Sequence, residues 1–111
     1  MLMMPTANTQ WSLQEEAIAK TAFELSYRRE IAAVLAEAKR QAEAAQDPDD
    51  LWQLNDFLSA RRHYLDGKYD FSPESLVFTF AQLIKEGWLE LKDLEGISVE
   101  KISKIRVLTL M

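Results

Sequence analysis

The chain has 111 residues, 48% of them hydrophobic, which is the size of one ordinary domain and enough to bury a core. With no cysteine and one histidine it can form no disulfide, no thiolate nucleophile and no metal centre built from Cys or several His. Its net charge of -5 repels a phosphate backbone unless the 13 Lys and Arg gather on one face, so nucleic acid is not an expected partner. No run of about 18 apolar residues is present. The start, MLMMPTANTQ, lacks the basic and apolar segments of a secretory signal. A cytoplasmic protein is expected, with a flexible N-terminus over residues 1–11 and a single all-α domain over residues 12–111.

Ser12, Leu13, Gln14 and Glu15 spell a capping box, in which the Ser12 hydroxyl and the Glu15 carboxylate accept from N–H groups that a helix start leaves unpaired. No Gly or Pro follows until Pro48, and the interval is rich in strong helix formers. This predicts a first helix over about residues 12–46, ~50 Å long. A compact chain of this size has a radius of gyration of only ~13–14 Å, so the helix must protrude. On a wheel of ~100° per residue, Phe23, Tyr27, Ile31, Val34 and Ala38 form one apolar face. Ile18, Ala22, Leu25, Ala32 and Ala36 lie nearly opposite. The rest of the chain can cover one face; a second copy covers the other most economically, unless the second row is only Ala-rich helix former. The expected architecture is a long N-terminal helix plus a compact helical head, in an elongated homodimer.

Asp47, Pro48, Asp49 and Asp50 read as a second helix start: an N-cap, Pro at the first position, then acids facing the positive end of the dipole. This helix is expected over about residues 48–66, ending at Gly67 in the left-handed conformation. Leu51, Leu54, Leu58 and Leu65, flanked by Phe57 and Tyr64, form a side that is core or dimer seam. The dimer interface is assigned to Leu51, Leu54 and Leu58 together with Ile31 and Val34 of the first helix. The other side reads Trp52, Asn55, Asp56, Ser59, Arg62, His63 and Asp66. A Trp among charges, away from the leucines, suits a recognition surface, where Trp and Arg anchors typically contribute ~2 kcal/mol or more each. The alternative is a Trp52 buried against the first helix or a second subunit, with Asp56 and Arg62 joined as a structural ion pair.

The head is expected over about residues 72–111. Ser72 and Pro73 repeat the cap-then-Pro signal, and the helix after them carries Leu76, Val77, Phe80, Leu83 and Ile84 on one face before Gly87. Phe78 falls on its polar side, among Glu74, Gln82 and Lys85. A turn at LKDL leads to a last helix from about Ser98, with Ile102, Ile105 and Leu108 along one side. Lys101, Lys104 and Arg106 read as a solvated basic face. The chain has no GxSxG, Walker A, GxGxxG, HExxH or EF-hand spacing. Paired acids such as Asp49 and Asp50 already have a capping role. No enzymatic activity, cofactor or metal is expected.

The blocks DDLW, DFLSA followed by RRH, DGKYD and FAQL, with the SKI that begins at Ser103, cover Asp49 to Lys104, about half the chain. In that order they closely resemble the cyanobacterial fluorescence recovery protein family. The resemblance implies all-helical dimers without a chromophore that act on the orange carotenoid protein, which quenches phycobilisome excitation once light has opened it to a red form. It further implies binding to that form, chiefly to its C-terminal domain, faster return to the orange form, and detachment from the antenna. It places the partner-binding residues at Trp52, Asp56 and Arg62, near the dimer interface, with Phe78 and Lys104 beyond them. Asn55, beside Asp56, is counted with the partner-binding residues and stands where some relatives have His. A cytoplasmic location, or one peripheral to the thylakoid membrane, is implied too. The rival reading is a general helical dimeric adaptor for an unrelated protein.

Overall fold

A computed structural model describes residues 10–111; residues 1–9, most of the expected flexible N-terminus, lie outside the described residues. Trp11, the last residue of that segment, is half-buried. Its ring meets Phe80 edge-on at 6.4 Å, and its indole N–H donates to the Pro73 carbonyl at 3.3 Å.

The described residues contain four α-helices, a 3-10 turn and no strand. The first, α1 (Leu13–Ala44), opens on the full capping box: the Glu15 amide donates to Ser12 Oγ and the Ser12 amide to Glu15 Oε1, both at 3.0 Å. The second, α2 (Pro48–Lys68), is capped by Asp47, with Pro48 in the first turn, and folds back beside α1. The two make a stalk. The head follows as α3 (Leu76–Glu86), the turn Leu91–Leu94 and α4 (Val99–Thr109), whose N-cap is Ser98. The described residues measure 63 × 26 × 26 Å with a radius of gyration of 17.4 Å, well beyond that of a compact chain. The first helix does protrude.

The core lies in the head. Leu76, Phe80 and Leu83 of α3 close on Leu89, Leu94 and Ile105, all of them buried. Against them lie Ala19 and Ala22 of α1, whose small side chains let the long helix approach closely. Gly96 is needed for the same approach: with φ at +103°, an added Cβ would stand 2.6 Å from Ile18 Cδ1. Gly87 ends α3 in the left-handed conformation, with Trp88 N–H bonded to the Leu83 carbonyl and Gly87 N–H to that of Ile84.

Several expectations need correction. The buried stripe of α1, Glu15, Ala19, Ala22, Ser26 and Glu30, shares only Ala22 with the two apolar rows and otherwise runs between them. Small and paired polar side chains, rather than the largest apolar ones, set the line of closest packing. Of the leucines on α2 only Leu65 is buried; Leu51 and Leu58 are exposed and Leu54 half-buried, so that side is not core within this chain. The side less exposed against α1 carries Leu54, Phe57, Arg61, Leu65 and Lys68. Nor does α2 stop at Gly67, which has no positive φ; the helix continues to Lys68, whose ammonium is held by carboxylates of α1 and α3. In the head, α3 starts later than Ser72 and Pro73 suggest. Ser75 is its N-cap and the Pro73 carbonyl is occupied by Trp11. Lys101 is buried rather than solvated, bound to Glu15 at 3.2 Å.

Candidate partner-binding surface

Trp52 stands in the first turn and a half of α2, 63% exposed, and Asn55, Asp56, Ser59, Arg62, His63 and Asp66 are exposed with it. The turn at Asp47 and the contact with α1 direct the Leu54, Phe57 and Leu65 stripe inward, which leaves these side chains in solvent. Arg62 meets Asp66, one turn on, at 3.8 Å. Its ion-pair partner is thus not Asp56, and at that separation in water the pair is worth little. Within this chain Trp52 is not buried against α1. Its ring, an acid and an arginine face outward together, a combination suited to gripping a protein through an aromatic anchor and charge-assisted hydrogen bonds.

Leu51 and Leu58, 53% and 42% exposed, adjoin this surface on α2, and Leu35 is exposed on α1. Ile31 and Val34 are half-buried. The two helices therefore leave apolar side chains open on the stalk.

Phe78 and Lys104 belong to a different part of the molecule. Phe78, 63% exposed, borders an open groove of about 260 Å³ with Gln82, Lys85, Leu108 and Met111. Lys104 is exposed on α4 one turn before Leu108. From Trp52 to the head end of α2 is 16 residues, or ~24 Å at 1.5 Å per residue. The sequence-derived site residues thus form two groups, one on the stalk and one on the head.

Between them lies a charged cluster that sequence patterning missed. Glu30 of α1 is completely buried and accepts from Arg61 Nη2 at 2.9 Å, Lys68 Nζ at 2.6 Å and the Tyr69 hydroxyl at 2.8 Å. Lys68 Nζ also reaches Glu86 Oε1 of α3 at 2.5 Å, and Glu86 accepts from Tyr64, Gln82 and Trp88 as well. Burial works against the Glu86 charge, but Lys68, Tyr64 and Gln82 outweigh it and hold its carboxyl below the usual range. Burial, together with the hydrogen bond to Glu30, pushes the Tyr69 phenol well up. Beside the cluster Phe71, Phe23, Tyr69 and Tyr27 form a chain of edge-on contacts at 5.1–5.2 Å between centroids. The available signals were the Glu30 position in line with Ser26 and Ala22, and the seven-residue spacing of Arg61 and Lys68.

Among the described residues no group of His, Cys, Asp or Glu could hold a metal ion, and no helix is long and apolar enough to cross a membrane.

Residues 11–109 match the family described as the photoprotection regulator fluorescence recovery protein. The chain is 43% identical over 106 residues to the fluorescence recovery protein of a Synechocystis strain, an alignment covering 96% of this chain and 97% of that one. The solved structure of the Fremyella diplosiphon fluorescence recovery protein superposes with a TM-score of 0.88 at 44% identity, over 92% of this chain and 100% of that chain. The Synechocystis structure gives the same TM-score and coverage at 42% identity.

Proposed function

The chain belongs to the fluorescence recovery protein family of photoprotection regulators, and from that premise we propose that it is a non-enzymatic regulator of the orange carotenoid protein. It binds the photoactivated red form, chiefly through that protein's C-terminal domain, accelerates its return to the orange form and promotes its detachment from the phycobilisome, restoring antenna fluorescence. It works in the cytoplasm, at or near the thylakoid surface. Trp52 carries this reading: a large aromatic ring held in solvent beside Asp56 and Arg62 by a helix whose other side meets α1.

Tight binding of the red form alone would stabilise the starting state and slow its decay; acceleration requires the barrier state to be favoured more. Two separated contact groups suit that requirement. With the C-terminal domain held on the Trp52 surface, Phe78 and Lys104 on the head meet the partner at a second point. This reduces the entropic cost of bringing its two domains together. Weaker affinity for the closed orange product then allows release. A second copy of the chain covers the open leucines of the stalk and presents the Trp52 surface twice.

Recovery kinetics of photoactivated carotenoid protein test the reading. Trp52→Ala should return the rate towards that of the unassisted protein while helix content stays the same, since the ring contributes little to the fold of the chain. An unaltered rate would sink the assignment.

A further inference from the structure

Stalk and head share α1, whose N-terminal half is packed into the head through Ala19 and Ala22. The link from α2 to the head is different in kind. Leu65 is the one buried residue of α2, and beyond it the last turn is tied down by charge. Lys68, its side chain 6% exposed, places Nζ 2.6 Å from Glu30 of α1 and 2.5 Å from Glu86 of α3. Tyr64 reaches the same Glu86 carboxylate. An apolar contact tolerates sliding, whereas one ammonium hydrogen-bonded at once to a buried Glu30 and a half-buried Glu86 on different helices is fixed in position between them.

We propose that Lys68 is a positioning residue: its ammonium locks the last turn of α2 to α1 and α3 at once, and so sets how the Trp52 surface is aimed relative to Phe78 and Lys104. The lock explains why α2 runs through Gly67, a poor helix residue, to deliver Lys68 at the junction. With the lock open, α2 keeps its helix but loses a fixed angle to the head. The consequence for recovery rests on the function proposed above; the consequence for geometry does not.

The chain has no cysteine, so spin labels on Gln53→Cys in α2 and Glu100→Cys in α4 report the angle directly, after dilution with unlabelled protein to isolate pairs within one chain. The Lys68 parent and Lys68→Arg should give one narrow distance distribution. Lys68→Met should give a broadened or split one at unchanged helix content. Glu86→Met, which leaves Lys68 bound to Glu30 but removes both contacts of α2 to the head, from Lys68 and Tyr64, along with the Gln82 and Trp88 bonds inside the head, should behave likewise, and it decides the matter if Lys68→Met does not fold. A narrow, parent-like distribution in Glu86→Met or in folded Lys68→Met overturns the proposal. Variants with broadened distances should also slow carotenoid-protein recovery, with Lys68→Arg restoring it. Recovery at the parent rate despite broadened distances overturns the aiming role. Trp52→Ala should slow recovery with distances unchanged, so failure of the partner assignment and failure of the lock give different results.

Discussion

Arg61 and Arg62 are adjacent and chemically identical, yet the fold gives them opposite work. Arg62 is in solvent, 3.8 Å from Asp66, and an exposed pair of this kind contributes at most about 0.5 kcal/mol. Arg61 is half-buried and donates to Glu30, which has no access to water. Arg62→Lys keeps the charge and discards the planar fork. It should leave the melting temperature essentially unchanged, because the fold makes no use of the fork, and slow recovery, because the proposed function assigns the fork to the partner. Melting and recovery measured on the same preparation check this; full recovery activity would remove Arg62 from the contact. The outward direction of Arg62 was legible in the sequence, since the wheel sets it beside Asn55 and Asp66. The inward role of Arg61 was not. Its carboxylate lies 31 residues away on another helix, and the spacing of Arg61 and Lys68 alone does not say which acid they meet.

The starts of α1, α2 and α4 were legible because a cap is written in adjacent residues, whereas the cap-then-Pro pair at Ser72 and Pro73 stood ahead of the true start of α3. The same local reading missed a second use of the α1 cap. Glu15, having accepted the Ser12 amide, turns Oε2 to the Ser98 amide at 2.9 Å and also binds Lys101. One carboxylate thereby joins the starts of α1 and α4. Burial opposes its charge, but the two amides and the Lys101 ammonium outweigh it and lower its pKa to about 2. An unfolded Glu titrates near ~4.3, so the folded state favours the ionised form. The resulting stability is fully present above that value and is lost as pH falls through the interval towards about 2. Glu86 and Asp93, both lowered, add in the same direction. Glu15→Gln should lower stability at pH 7 by about 2 kcal/mol. Its deficit relative to the parent should shrink between about pH 5 and pH 2, as thermal melts across that range would record; a deficit independent of pH would mean that the charge is not the source. Gly67 shows the reverse failure of local reading, since a stop signal was overridden by ion pairs made at the next residue.

At the scale of the whole molecule, the extended shape was legible because a helix of this length cannot fit inside a compact chain of this size. Which side of α2 is core was not legible, because leucines are apolar whether they pack within a chain or between chains. Leu51 and Leu58 are exposed here, as is Leu35 on α1. A row of apolar side chains along a protruding hairpin is the kind of surface that association covers. A two-fold pairing of stalks would bury the same row from both copies. The head has its own core in Phe80, Leu83, Leu94 and Ile105, so the chain does not need the second copy to form its helical head. Leu51→Glu puts a charge on the row without disturbing any buried residue of the chain. It should therefore yield folded monomers, with parental helix content and half the parental mass in sedimentation equilibrium. Because Leu51 neighbours Trp52, those monomers should also recover the carotenoid protein more slowly, each offering one surface where the proposed pair would offer two. A Leu51→Glu protein that sediments like the parent would move the seam to another face of the stalk. The Trp52 contact would then have to be judged on one chain alone.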